Sequence, residues 1–482
     1  MVRLYTDRPS YANDIADEVR LFAGREEIVL SDEEHCDISV TLREDNGLRR
    51  ASAKANLFGK HAQYALDCPA CTGGVLETKR REKRAMKIAA FRALRSIYGV
   101  SPPWGSLTGI RPTRLLRELI EREGESEALR MMAEDFDVMP DKLALASGIV
   151  AVQSPILASL TDEVVDIYVN IPFCPTKCLY CSFPSSVRTE KDDMGAYLAA
   201  LEKDIALGAT LLNESGRSVR ALYIGGGTPT VLTALELARL CESLRRHYGA
   251  FAGEFTLEAG RPDSITREKL NVMQNFGVTR VSVNPQSMNA KTLALIGRSH
   301  APEDVERAFF LVREAGFTNV NMDVIAGLPG EDVKDMEVTL ERLAALSPES
   351  LTVHTLALKR TSRLVTQGVT FPLPEAAVAE EMVRLGAAAA QALGMRPYYM
   401  YRQKFMSGNL ENVGYAKPGY ECFYNVDMME DAASILAHGA GSMTKRIYDA
   451  ERRVERVPAP KDIETYAAKI EVLAAGKRKL FL

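Results

Sequence analysis

The chain has 482 residues, too long for one ordinary core and suited to two or three domains. Apolar residues make up 46% and charged residues 26%, with a formal net charge of −4 and a pI near 6.0. That balance is globular and disfavours a nucleic-acid partner. No apolar run reaches the roughly eighteen residues of a membrane span, and "MVRLYTDRPSYANDIADEV" has no apolar stretch behind a basic start. The expectation is therefore a cytoplasmic chain. Eight cysteines in that setting argue against a disulfide framework, so the thiols are free, buried or metal-bound.

In chain order, residues 1–158 read as an N-terminal α+β domain with a helical connector. Short β-type runs "EEIVLS", "DISVTL" and "HAQYALD" lead into one long helix, roughly Leu76 to Tyr98. Eight Lys or Arg lie between Lys79 and Arg95 against the single acid Glu82, while Met86, Ala89, Ala93 and Ile97 recur at helical spacing and should face a core. The basic side reads as a solvated face, with an RNA or an acidic redox protein as the alternatives. Cys68-Pro-Ala-Cys71 is a lone C-x2-C without a second pair, a weak signal for half a zinc site or a redox pair. Cys241 falls in an amphipathic helix and reads as core, and Cys36 and Cys422 have no assigned role.

Residues 159–365 alternate strand and helix. The apolar runs "DIYVNI", "ALYIGGG", "EFTLEA", "RVSVNP", "NVNMDVIAG" and "SLTVHTLAL" are separated by helix-period stretches such as "LTALELARLCESLRRHYG" and "APEDVERAFFLVREAG", the latter closed by Gly316. Such repetition predicts a parallel sheet with right-handed crossovers: an α/β fold, a partial (β/α)6 barrel with ligands at its C-terminal mouth. Residues 366–482 form a mixed C-terminal extension that opens with a helix from Pro374 to Leu393.

Directly after "DIYVNI", at the barrel mouth, "NIPFCPTKCLYCSF" holds Cys174, Cys178 and Cys181 at C-x3-C-x2-C spacing. Three thiolates can hold three irons of a [4Fe–4S] cube and leave the fourth iron open, as a catalytic zinc keeps an open position. An open iron can chelate an amine and a carboxylate. A zinc site with a distant fourth ligand, or three buried thiols, are the structural alternatives.

"YVNIPFC" followed by C-x3-C-x-Y-C resembles the signature of the radical S-adenosylmethionine enzymes. More narrowly it resembles the oxygen-independent coproporphyrinogen III oxidases. The stretch "YYMYRQKFMSGNLENVGYAKPGYE", Tyr398 to Glu421, with the N-terminal domain, looks most like the HemZ-type branch, the coproporphyrinogen dehydrogenases. The resemblance implies a [4Fe–4S] cluster on Cys174, Cys178 and Cys181, and S-adenosylmethionine on its open iron as the source of a hydrogen-abstracting 5′-deoxyadenosyl radical. "GGGTPT" would take the methionyl amine with Gly226, Gly227 and Thr228. Glu258, Gln286, Arg298 and Asp323 stand at or after successive strand ends and would contact the cofactor, Asp323 on ribose hydroxyls and Arg298 near a carboxylate. Ile325 and Ala357 would flank the adenine. Tyr180 would shield the cluster, and Tyr168 would lie near the cofactor, with core packing as its plainer role.

The same resemblance implies a tetrapyrrole substrate and a reducing partner such as flavodoxin or ferredoxin. A porphyrinogen needs aromatic walls and cations for its propionates. Tyr398, Tyr399, Tyr401, Tyr415 and Tyr420 would supply the walls, and Arg402 and Lys404, alternating on extended chain, a clamp; a solvated loop is the alternative. Two departures bear on the substrate. The bacterial oxidases carry a helical domain after the glycine motif, whereas this chain reaches Leu482 soon after "HGAGS". The HemW-type heme chaperones carry H-N-x-x-Y-W where this chain reads "YNVDMM", which counts against a heme carrier. The activities implied are oxidative decarboxylation of coproporphyrinogen III, another radical reaction on a tetrapyrrole, such as heme ring opening or methyl transfer, or heme carriage.

Overall fold

The structure, a computed structural model, describes residues 1–24, 26–45, 48–68, 74–109, 111–189, 191–250, 253–359, 362–366, 372–404, 406–448 and 453–482. Cys71 lies outside the described residues, so the Cys68–Cys71 pairing has no structural reading. The chain divides into two compact units, Met1–Ser147 and Gly148–Leu482.

The first unit is a five-stranded sheet in the order Ile28–Leu30, Val2–Thr6, Ile38–Asp45, Leu48–Leu57, Lys60–Cys68. Val2–Thr6 runs parallel to both neighbours and the later pairs are antiparallel. Its apolar residues Leu4, Ile38, Val40, Ala51, Ala53 and Ala55 share one core with Ile15 and Val19 of helix Ala12–Ala23, and with Met86, Ala89, Ala93 and Ile97 of helix Gly74–Tyr98. The charges of that long helix are largely neutralised at home. Lys83 pairs with Asp14, Lys87 with the fully buried Glu18, and both Arg92 and Arg95 with Asp137. A face whose cations already hold carboxylates offers little to a polyanion.

In the second unit six parallel strands form the barrel: β1 (Val164–Ile171), β2 (Ser218–Gly226), β3 (Glu254–Gly260), β4 (Arg280–Val283), β5 (Val320–Ala326) and β6 (Ser350–Thr355). Their apolar residues are buried on both faces, as expected for parallel strands covered by crossover helices. Those helices are α1 (Met194–Ser215), α2 (Ala234–Tyr248), α3 (Arg267–Asn275), α4 (Pro302–Glu314) and α5 (Val333–Leu346). Thr233 and Glu236 close a capping box at the start of α2. Gly316 takes a positive φ just beyond α4, where an L side chain would be strained.

The C-terminal extension continues this same sheet on both sides. After helix α6 (Ala376–Ala392), β7 (Arg396–Tyr401) and β8 (Asn412–Ala416) add to β6 in the antiparallel sense. Helix α7 (Phe423–Glu430) leads to β9 (Ser434–His438), parallel to β1, followed by antiparallel β10 (Met443–Tyr448) and β11 (Arg453–Pro458). The sheet order is β7-β8-β6-β5-β4-β3-β2-β1-β9-β10-β11. Between its two arms α7 packs Tyr424 against Tyr223 and Tyr168, with ring centroids 4.4 and 5.9 Å apart. No helix among the described residues is long and apolar enough to cross a membrane.

The last helix, α8 (Ile470–Phe481), is fastened by a buried charge cluster. Lys477 Nζ donates to Asp204 Oδ1 at 2.5 Å, the Tyr466 hydroxyl donates to Asp204 Oδ2 at 2.9 Å, and the His438 ring lies 3.3 Å from Asp204. Burial alone would raise the Asp204 pKa, but Lys477 and His438 pull it below the carboxylate range. Asp204→Ala would strand the Lys477 charge, only 3% exposed. The expected loss is about 3–5 kcal/mol of stability, read as a lowered urea midpoint; an unchanged midpoint would show that α8 is held by its apolar face alone.

Candidate active site

β1 ends at Ile171, and its backbone holds the segment after β2. The Gly227 N–H donates to Ile171 O at 2.8 Å and the Thr228 N–H to Phe173 O at 2.7 Å. Gly226 sits at φ 110°, and a Cβ there would run into Asn170 Oδ1; a Cβ on Gly227 would run into the Phe173 carbonyl. The glycines are needed because two backbone segments meet with no room between them. Cys174 follows at once, so the glycine segment and the cysteine loop are one rigid piece.

The loop is strapped elsewhere too. Leu179 N–H donates to Ile296 O, Leu364 N–H to Leu179 O, and Arg261 Nη1 to Thr176 Oγ1. Cys174, Cys178 and Cys181 all line one cavity of about 340 Å³. Among the described residues no three Cys, His, Asp or Glu side chains are grouped as the ligands of a single ion. The C-x3-C-x2-C spacing can spread three thiolates over separate irons of one cube.

The same cavity is lined by Tyr180, Gly226, Gly227, Thr228, Glu258, Gln286, Arg298, Asp323, Ile325 and Ala357. Gln286 reaches it from a left-handed backbone (φ 66°), held by its own N–H to Asp323 O and by the Ile325 N–H to its carbonyl. That conformation is unusual for a residue with a side chain and aims the amide inward. Its Oε1 is buried with no partner, as is Arg298 Nε. Orphaned polar atoms beside three thiols and a glycine cradle fit a polar cofactor.

Glu258 accepts from the Tyr223 hydroxyl, and burial pushes its carboxyl up to about 7. Burial works the same way on Asp323, but His354, Asn321 and Thr352 outweigh it and hold that carboxyl below its ordinary value. The His354 ring lies 3.6 Å from Asp323. His354 carries no motif and escapes notice in the sequence; only its place on β6, two residues beyond Thr352, the register partner of Asp323 on β5, would have pointed to it.

Three expected residues lie elsewhere. Tyr168 is half-buried in the tyrosine stack and donates to Asn170 Oδ1 at 3.0 Å, so it meets the glycine segment through Asn170. Tyr399, Tyr401 and Gln403 line the cavity, while Arg402 does not. Arg402 is buried and donates to Asn409 O at 3.3 Å. Lys404 is exposed, because the strand ends at Tyr401 and the alternation that would have put both cations on one face stops there.

A sequence profile of the Radical SAM superfamily matches residues 168–343. Proteins of this superfamily bind a [4Fe–4S] cluster and S-adenosylmethionine, and these are the cofactors of the barrel described above. The oxygen-independent coproporphyrinogen-III oxidase-like protein HemZ of Bacillus subtilis (strain 168) is 38% identical over 402 residues, 82% of this chain and 80% of the relative. The chain belongs to the radical SAM HemN/HemZ family. The heme chaperone HemW of Bacillus subtilis (strain 168) is also similar, 30% identical over 280 residues, which is 57% of this chain and 69% of that protein. The structure of the Escherichia coli coproporphyrinogen III oxidase HemN shares the fold, with a TM-score of 0.54 and 24% identity over 67% of this chain and 73% of that one.

Replacing Cys174, Cys178 and Cys181 together by Ala is expected to leave an iron-free protein after anaerobic reconstitution. Iron analysis that still found about four irons per chain, the content of one cube, would move the cluster to other cysteines.

Proposed function

We propose that this chain is a tetrapyrrole enzyme that decarboxylates two propionates of coproporphyrinogen III to vinyl groups, giving protoporphyrinogen IX. The observation that carries this reading is the relative named as a coproporphyrinogen-III oxidase-like protein, similar over both of the chain's units. Helix α7 adds to it. The stretch "YNVDMM" is packed into the barrel through Tyr424, and Asn425 and Met429 line the cavity. It is wall material for a site inside the barrel and carries no histidine for a heme iron.

When bound, the cluster and S-adenosylmethionine supply a 5′-deoxyadenosyl radical. Cys174, Cys178 and Cys181 would hold the irons, Gly226 to Thr228 and Glu258 the methionyl amine, Arg298 a carboxylate, and Asp323 the ribose hydroxyls. Each propionate gives up a hydrogen atom from the carbon β to its carboxylate, then CO2, and one electron to an acceptor outside the chain. Tyr180, which lines the cavity beside the cysteines, would shield the cluster from water.

Anaerobic, cluster-reconstituted protein given coproporphyrinogen III, S-adenosylmethionine and a one-electron reductant should yield vinyl products and CO2. Hemin bound tightly with no vinyl product would favour the carrier named among the relatives.

Glu258 makes a second expectation. A carboxyl that titrates near 7 is neutral in acid, and an ammonium group binds its ionised form. S-adenosylmethionine affinity should therefore climb by up to about tenfold per pH unit as pH rises toward 7, then level off. Equilibrium dialysis between pH 5.5 and 8 should show this slope in the native protein and lose it in Glu258→Gln; the same slope in both would take the amine away from Glu258.

A further inference from the structure

The cavity continues past the cofactor residues. Along β4 and its extension Arg280, Ser282, Asn284 and Gln286 all line it, as the two-residue period of extended chain requires. Gln286 stands at the cysteine end. Arg280 stands at the other, about 10 Å of strand below Val283.

Arg280 is 2% exposed. Its Nη2 donates to Ser350 Oγ at 2.9 Å, while its Nε is buried with no partner. Ser282 Oγ and Asn284 Oδ1 are also buried and unpartnered. A buried cation is costly unless an anion meets it, and unsatisfied polar atoms in a row are rare in a folded core.

Glu254 and Glu258 act on Arg280 from beyond ion-pair distance, and their direct hydrogen bonds go to other groups. Glu254 accepts from the Phe423 and Tyr424 N–H groups at the start of α7 and from the Cys422 thiol. Glu258 is taken by Tyr223 and is about half ionised at neutral pH; Asp323 is taken by Asn321 and His354. Among the described residues no carboxylate forms an ion pair with Arg280.

We propose that the Arg280 end of the cavity is a carboxylate subsite that anchors one acid side arm of the substrate, with Arg280 as the planar fork and Ser282 as a hydroxyl donor. This rests on the tetrapyrrole reading and deepens it, because the acid arm is then a propionate. The carboxylate of S-adenosylmethionine is not a candidate, since on an open iron held by Cys174, Cys178 and Cys181 it would belong to the other end of the cavity. An arm drawn to the barrel floor passes the cofactor on the way, so the anchor also sets which carbon is presented. It places the cation that meets a propionate inside the barrel, in a cavity that neither Arg402 nor Lys404 lines.

The test uses coproporphyrin III, an oxidised stand-in with free propionates, and its tetramethyl ester, which has none. Both are titrated by fluorescence into anaerobically reconstituted protein. Native protein should bind the free acid at least tenfold more tightly than the ester. Arg280→Gln should lose at least tenfold of the free-acid affinity and none of the ester affinity, and Arg280→Lys should fall between.

Ser282→Asp covers the case in which Arg280→Gln does not fold. It supplies a carboxylate next to Arg280, so it should raise the melting temperature and weaken the free acid at least tenfold with the ester unchanged. If the native protein binds the free acid and neither Arg280→Gln nor Ser282→Asp narrows the gap to the ester, the subsite is wrong and the tetrapyrrole reading stands. If the native protein binds neither porphyrin, both fall.

Discussion

The close approach of the end of β1 to the segment after β2 is the constraint on which the site depends. Two backbone hydrogen bonds, from Gly227 to Ile171 and from Thr228 to Phe173, bring them together, and glycine at 226 and 227 leaves room for it. The contact extends outward through Asn170. Its Nδ2 donates to Ala440 O at 2.5 Å, and its carbonyl accepts from the Tyr197 hydroxyl at 2.7 Å. The C-terminal turn, the first crossover helix and the glycine cradle thus meet at one residue. Through Gly439, whose N–H reaches Tyr466 and Asp204, the buried charge cluster under α8 joins the same chain of contacts. A segment far from the cysteines in sequence therefore helps to fix where they stand.

Electrostatically the cavity alternates along its length. Arg298 lies near the thiols, Glu258 and Asp323 in the middle, and Arg280 at the floor. The two guanidinium groups are buried and the two carboxyl groups half-buried, so the cations above all are strong toward a ligand and costly without one. The tyrosines around them fill the barrel interior and keep it from collapsing into a purely apolar core, which would have no use for these groups.

Much of the barrel was legible in the sequence, because period-two and period-3.6 patterns alternate cleanly from Asp166 to Leu358 and the cysteine spacing admits few chemistries. Glu258 on β3, Asp323 on β5, and Gln286 and Arg298 beyond β4 could be assigned to their strand–helix units for the same reason. Other features were hidden. Strand Leu48–Leu57 buries only small alanines between charged residues and shows little apolar contrast. The extension read as a separate region, because nothing local reveals that β8 and β9 pair with β6 and β1. Arg402 followed an alternation that the backbone abandons one residue too soon. Arg280 and His354 belong to no motif, and only the cavity exposes what they face.

The pairing of β1 with β9 has a kinetic consequence. Val164–Ile171 is made long before its outer partner Ser434–His438. Contacts so distant in sequence are slow to form, since the intervening chain must first be ordered. Until then one edge of β1, the strand that carries the cysteine loop, has unpaired N–H and C=O groups and is open to pairing with other chains. The nascent barrel therefore passes through a stage in which its thiol loop is present and its supporting strand is missing, and an iron donor that waits for the finished sheet would meet a better-ordered loop than one that acts earlier.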